Sequence, residues 1–318
     1  MPLFNYKYLL PFLFFAFINC IPAPQEQLSP YKTKNVIIIV VDGPRYTETW
    51  GDSAHKYIPH LAKDMVKEGV VFSNFYNNGP TYTNSGHTTL TTGYSQEINN
   101  KGTELPKYPS IFQYYLKKTG KDKSKAWVIT TKDKLEILAN TTDEAWKDTY
   151  KPSTDCGTRG LGSDYREDSI TFKNVVKVLK TEHPNLVLVN FKEPDASGHA
   201  NDWAAYLKGI KDTDAYVWEL WKLIKTDPFY KDNTTLFVTN DHGRHLDNVK
   251  DGFINHGCPC EGCQHINLYA YGPDFKKNVV VKDTYYQKDV PATIAKLLDL
   301  QMPHSEGKPI DVLFKTQK

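Results

Sequence analysis

Four apolar runs stand out along the chain: Val36–Val41, Leu186–Phe191, Leu236–Thr239 and Ile266–Tyr271. Each is short, rich in β-branched or aromatic residues and hydrophobic without alternation, the pattern of strands covered on both faces. A fifth run, Trp127–Thr130, fits the same reading. Between them, apolar positions recur at helical spacing. This predicts helices over 59–68 (ended by Gly69), 109–119 (ended by Gly120), 169–181, 202–225 and 290–299, the last with Asp289 as its N-cap. Residues 94–108 and 145–168, rich in Gly, Asn, Asp, Lys and Thr, are expected to be surface loops. Strands alternating with helices predict an α/β fold, a mainly parallel sheet in a three-layer αβα sandwich, with one domain over 35–313.

The N-terminus breaks this pattern. A single charge, Lys7, precedes the apolar run Leu9–Ile18, which Pro11 interrupts and which is too short to span a membrane. With Ile21-Pro22-Ala23 at its end, this reads as an export signal over 1–23, followed by a polar linker at 24–34. Phe17-Ile18-Asn19-Cys20 loosely resembles a bacterial lipobox, which would make Cys20 a lipid-bearing first residue. Export makes disulfides the expected fate of Cys156, Cys258, Cys260 and Cys263. The competing reading of Cys-x-Cys-x-x-Cys is a soft-metal site, with His256 or His265 as the only evident fourth ligand. The charge balance, 39 basic against 37 acidic residues, gives no sign of nucleic acid or an anionic membrane as the main partner.

Three of the strands run directly into metal-ligating residue types. Val36–Val41 leads to Asp42-Gly43, Leu186–Phe191 to Glu193-Pro194-Asp195-Ala196-Ser197-Gly198-His199, and Leu236–Thr239 to Asn240-Asp241-His242-Gly243. Ligands of open α/β sheets bind beyond the carboxyl ends of the strands, so these side chains can converge on one crevice. Mixed carboxylate and imidazole donors favour zinc or manganese over calcium. A fourth segment, Thr81-Tyr82-Thr83-Asn84-Ser85-Gly86-His87, is expected to enter a short helix near 84–92. A hydroxyl there faces unpaired N–H groups suited to an anionic ester, or simply caps the helix. As a nucleophile it would need a base or a metal.

The order Asp42-Gly43, Thr83-x-x-Gly86-His87, Glu193-Pro194-Asp195-x-x-Gly198-His199, Asp241-His242-Gly243 and His256-Gly257 resembles the alkaline phosphatase superfamily, most of all its nucleotide pyrophosphatase/phosphodiesterase branch. The resemblance spans roughly residues 35–313. It implies a two-metal hydrolase of phosphate esters, mono- or diesters, acting through a covalent phospho-threonine at Thr83. Asp195, His199 and His256 would hold one zinc. Asp42, Asp241, His242 and the Thr83 hydroxyl would hold the other. His245 and His265 compete with His256 for its place, and Thr81 and Ser85 compete with Thr83. The other readings on the same fold are a phosphonate or sulfate ester hydrolase, a phosphoryl transferase, and a non-catalytic zinc-stabilised binding protein. A formylglycine sulfatase would need Cys or Ser where Thr83 stands. No double-Trp segment follows the nucleophile to grip a nucleotide, which leaves a small phosphate-type ester as the expected substrate. Lys132 and Lys134, after the fifth strand, are read as a solvated loop or as contacts to that anion.

Overall fold

The computed structural model describes residues 1–3 and 30–316. The apolar run of the expected export signal, Cys20 and most of the 24–34 linker lie outside the described residues. Among the described residues, no helix is long and apolar enough to cross a membrane.

In chain order the strands are β1 (Asn35–Val41), β2 (Val70–Tyr76), β3 (Ala126–Thr130), β4 (Ser153–Cys156), β5 (Leu186–Phe191), β6 (Thr234–Thr239), β7 (His265–Tyr271), β8 (Val279–Val281) and β9 (Tyr285–Tyr286). They form one sheet in the order β4-β3-β5-β1-β6-β7-β2-β8, with β9 also paired to β2. β7 runs antiparallel to both β6 and β2, and the remaining pairings are parallel. In the centre β1 lies between β5 and β6, with Val36 opposite Leu186 and Thr235. The three strands that end in Asp42, Asp195 and Asp241 are therefore adjacent and point the same way.

The helices are α1 (Thr83–Thr92), α2 (Ile111–Thr119), α3 (Asp168–Thr181), α4 (Asp195–His199), α5 (Trp203–Thr226), α6 (Glu261–Gln264) and α7 (Asp289–Leu298). Alternate residues of β1 enter opposite cores, because successive strand side chains face opposite sides of the sheet. Val36, Ile38 and Val40 pack with Leu90 of α1, Phe112 of α2 and Ile294 of α7. Ile37 and Ile39 pack with Val175 of α3 and with Ile210, Val217 and Leu220 of α5. Two cores on one sheet make the expected three layers.

Several elements differ from the expectations. The predicted helix 59–68 is a π-helical turn, His60–Met65, followed by a 3-10 turn, Val66–Glu68. Its N-terminal N–H groups are taken up from outside: Asp214 of α5 accepts from His60 N at 2.8 Å and Leu61 N at 2.9 Å. β4 forms inside the region read as a loop, 145–168. Its four residues are too few and too polar to signal a strand, and they are held there by pairing with β3. Asp289 opens α7 as its first residue, and its carboxylate receives Tyr286 N and Lys308 N, both at 2.9 Å.

Candidate active site

The predicted metal-ligating residues meet at the carboxyl edge of β1, β5 and β6. Asp42 follows β1, Asp241 follows β6, and Asp195 begins α4 shortly after β5; all three are buried. Asp241 Oδ1 accepts from Gly43 N at 3.2 Å and from His242 N at 3.0 Å, which turns its Oδ2 inward. There it lies 3.3 Å from His242 Nε2 and 3.4 Å from His87 Nδ1. Asn190 of β5 donates to Asp42 Oδ2 at 3.1 Å, leaving Oδ1 to face the site. Asp42, Asp241 and His242 form one group of donors, and Asp195, His242 and His256 another. His199 joins the second group, with Nε2 3.3 Å from Asp195 Oδ1 and 3.2 Å from His256 Nε2.

Thr83 is the first residue of α1, behind Tyr82 at the N-cap, so its hydroxyl is not at the capping position. Its Oγ1 instead lies 3.5 Å from His242 Nε2. The competing hydroxyls are committed elsewhere: Thr81 Oγ1 donates to Cys258 O at 3.1 Å, and Ser85 Oγ accepts from Ile98 N at 3.4 Å. α1 comes this close to Asp241 because residue 86 is glycine; a Cβ there would sit 2.4 Å from Asp241 O. Of the competing histidines, His265 bonds Glu261 and Ser73 O, and His245 bonds Asp251, so neither enters this site. His256 does, its Nδ1 fixed by Thr81 O at 2.8 Å and its ring stacked on His242 at 3.7 Å.

Three buried cations complete the cluster. Lys132 is 2% exposed, and its Nζ lies 2.6 Å from Asp195 Oδ2, 2.9 Å from Asp42 Oδ1 and 3.3 Å from Thr83 Oγ1. The solvated-loop reading of Lys132 is therefore corrected: the 3-10 turn Asp133–Ala139 folds the segment back over the site. Lys134 is buried as well. Arg244 was not singled out in the sequence. It is fully buried, pairs with Asp195 Oδ1 and donates to the Phe253 and Ile254 carbonyls. Its position directly after Asp241-His242-Gly243 was the one available signal.

The electrostatics follow from this packing. Burial, reinforced by Asp241, holds the Asp42 carboxyl well above its usual range. Burial would also raise Asp195, but Lys132, the His199 hydrogen bond and Arg244 outweigh it and hold that carboxyl well below the usual range. Burial opposes the Lys132 charge, yet Asp195 and Asp42 outweigh it and keep the lysine protonated. Burial and neighbouring His242 push His256 down to about 2, and burial lowers His242, so both imidazoles are neutral, as metal ligation requires. Asp42 Oδ1 and Asp241 Oδ2 are buried without an aligned hydrogen-bond donor. Inward-facing carboxylate oxygens beside neutral imidazoles are a donor set that fits divalent metal ions.

A mainly parallel αβα sandwich with Asp, His and Thr side chains gathered at its carboxyl edge is the architecture of the alkaline phosphatase superfamily. Within it the chain belongs to the sulfatase family, whose model matches residues 34–300. Among solved structures, murine ectonucleotide pyrophosphatase/phosphodiesterase 5 superposes with a TM-score of 0.65 at 16% identity, covering 88% of this chain and 100% of that one. A phosphonate monoester hydrolase from Silicibacter pomeroyi gives 0.62 at 14% identity, covering 88% and 76%. Among curated relatives, phosphopentomutase of Clostridium novyi is 31% identical over 134 residues, 42% of this chain and 30% of that enzyme. A phosphopentomutase of Herpetosiphon aurantiacus is 27% identical over 150 residues, 46% of this chain and 35% of its own length. The matched stretch thus spans about a third of these curated relatives. Members of the superfamily act on phosphate or sulfate esters and use divalent metals.

Proposed function

We propose that the chain hydrolyses phosphate esters through a phospho-threonine at Thr83, with monoesters preferred. The observation that carries this reading is the buried Lys132 ammonium 3.3 Å from the Thr83 hydroxyl. Thr83 Oγ bonds to phosphorus as the ester P–O bond breaks, and water then cleaves the Oγ–P bond to release phosphate. Asp42, Asp241 and His242 would hold one metal ion, zinc by the donor set, beside Thr83; Asp195, His199 and His256 would hold a second. Bound there, such ions supply the positive charge that makes a hydroxyl acidic and offsets charge on a leaving oxygen.

The remaining work falls to the chain itself. Thr83 opens α1, so the positive end of that helix dipole favours an anionic phosphoryl group beside it. The Lys132 ammonium, paired with Asp42 and Asp195, places a fixed positive charge beside Thr83. A monoester presents one more ionised oxygen than a diester, so a second cation rewards it more. Lys134, pushed down to about 8 by burial and by Lys132, adds to the same field when protonated. Tyr82, partly exposed and edge-on to His256 at 5.8 Å, offers a face to the leaving group. Threonine at position 83 argues against sulfate ester chemistry of the formylglycine type.

The test is a turnover panel with zinc-loaded protein: an aryl phosphate, an aryl phosphodiester, an aryl phosphonate monoester and an aryl sulfate. The aryl phosphate should have the highest kcat/KM, and Thr83→Ala should lower its kcat by about 10³-fold or more. Unchanged turnover in that variant would remove Thr83 as nucleophile. A panel led by the diester, phosphonate or sulfate would replace the monoester reading.

A further inference from the structure

Outside the candidate active site, the fold assembles a second set of metal donors. Cys258, Cys260 and Cys263 share a short loop leading into α6 and β7, and the chain brings His245 to them from beyond β6. The three Sγ atoms and one His245 ring nitrogen all lie within 4.8 Å of one another. All three cysteines are free thiols, with Cys258 and Cys263 Sγ 4.0 Å apart, so the expected disulfide is not formed in this structure. The fourth free thiol, Cys156, is remote from them in β4 and bonds Val128 O. The histidine that lies with the three cysteines is His245, not His256 or His265.

His245 supplies the second observation. It is 2% exposed, and its Nδ1 lies 2.7 Å from Asp251 Oδ1. A carboxylate only accepts, so Nδ1 carries the proton and Nε2 presents a lone pair. Nε2 is buried and has no hydrogen-bond partner. A carboxylate that orients a histidine toward a metal through the opposite nitrogen is a recurrent outer-sphere arrangement. Four ligands at Zn–S of about 2.3 Å and Zn–N of about 2.0 Å, tetrahedrally disposed, require S···S separations of roughly 3.8 Å. The Cys258–Cys263 spacing is already near that.

We propose that Cys258, Cys260, Cys263 and His245 bind a structural zinc ion, distinct from the metals of the active site. Three sulfurs and one imidazole select a soft divalent cation over magnesium or calcium and leave no open coordination position for substrate. The ion ties together the two sides of one loop. His242 and Arg244 lie on the outgoing side and His256, two residues before Cys258, on the returning side. Existing backbone bonds run between the sides, Gly243 N to Cys263 O at 2.8 Å and His245 N to Asn255 O at 3.0 Å. The ion therefore fixes the position of His256 relative to Asp195.

Cobalt loading of the reduced full chain separates this site from the active site, whose donors are all nitrogen and oxygen. The expected spectrum has a thiolate-to-cobalt charge-transfer band in the near ultraviolet, retained by Asp42→Asn, lost when Cys258, Cys260 and Cys263 are replaced together by Ser, and formed only at higher cobalt concentration in His245→Ala. Absence of the band in the wild type, its loss in Asp42→Asn, or its formation in His245→Ala at the wild-type cobalt concentration would overturn the assignment. Thiol titration covers the case of a misfolded variant. In the zinc-loaded wild type the three cysteines should resist a thiol reagent until a chelator is added. Equal reactivity with and without the chelator, or a Cys258–Cys263 disulfide in unreduced peptide maps of the purified protein, would also overturn it.

Discussion

At the scale of single residues, the site turns on how positive charge is distributed around three buried aspartates. Asp195 has Lys132 on one oxygen and Arg244 on the other, whereas Asp42 and Asp241 each keep a buried oxygen without an aligned donor. Among the described residues, Lys132 is the one cation that touches both an aspartate pair and the Thr83 hydroxyl. Lys132→Ala should lower kcat/KM for an aryl phosphate by about 10²–10³-fold, the usual loss for one preorganised donor to a developing charge. The diester should lose distinctly less. Parallel kinetics on the two substrates check this, and equal losses would mean that Lys132 only neutralises Asp42 and Asp195. Asp42, Asp195, His199, Asp241 and His242 were legible as candidates in the sequence because each sits in a short motif just after a strand, whereas Thr83 and His256 stood out only through the order of motifs shared with the family. Arg244 was not legible, since a lone arginine after a motif carries no spacing signal. The pairing of His245 with three cysteines was equally invisible, because it depends on a loop returning through space.

At the scale of elements, apolar runs and caps gave the strands beside the site and most helices. β4 was missed because its stability comes from β3 rather than from its own residues. The turn at His60–Met65 shows the same dependence: its start is held by Asp214, far away in sequence, and not by a local cap. Burial raises Asp214 to about 6, although the His60 and Leu61 N–H bonds partly offset this. A carboxyl raised in the folded state binds its proton more tightly there. Its favourable contribution is thus complete below about pH 4, the unfolded value, and is lost as pH rises through about 6. The size of this linkage is on the order of 3 kcal/mol for a shift of this magnitude. Asp214→Asn should therefore be less stable than wild type at pH 4 relative to pH 8, with the gap closing or reversing as pH rises. Urea melts of both proteins at several pH values measure it. Parallel stability curves would show that Asp214 does not titrate in this range.

For the whole molecule, one sheet with a core on each face carries the stability, and the candidate active site lies at its edge, where carboxylates and imidazoles that can ligate a metal are buried together. Divalent ions should therefore stabilise the fold by mass action. Free zinc at about 100 times its dissociation constant adds about 2.7 kcal/mol. In a chain of this size that corresponds to a rise in Tm of roughly 4 °C. Calorimetry of chelator-treated protein, with and without zinc, checks the rise. Asp241→Asn should shrink the zinc-dependent increment while leaving the share due to the cysteine site. No response to zinc in either protein would count against both metal sites.

The sequence alone determined the layer architecture, since the period of its apolar positions sets which faces are buried. It also determined the set of residues at the strand ends, since those motifs are local. Only the tertiary structure decided which hydroxyl faces the aspartates, whether Lys132 is a surface residue or a buried cation, and which histidine joins the three cysteines. The physical reason is the same in each case. Burial and convergence depend on segments far apart in the chain: α1 packed against Asp241 through Gly86, the turn after β3 folded over the site, and one loop closing on itself beyond β6.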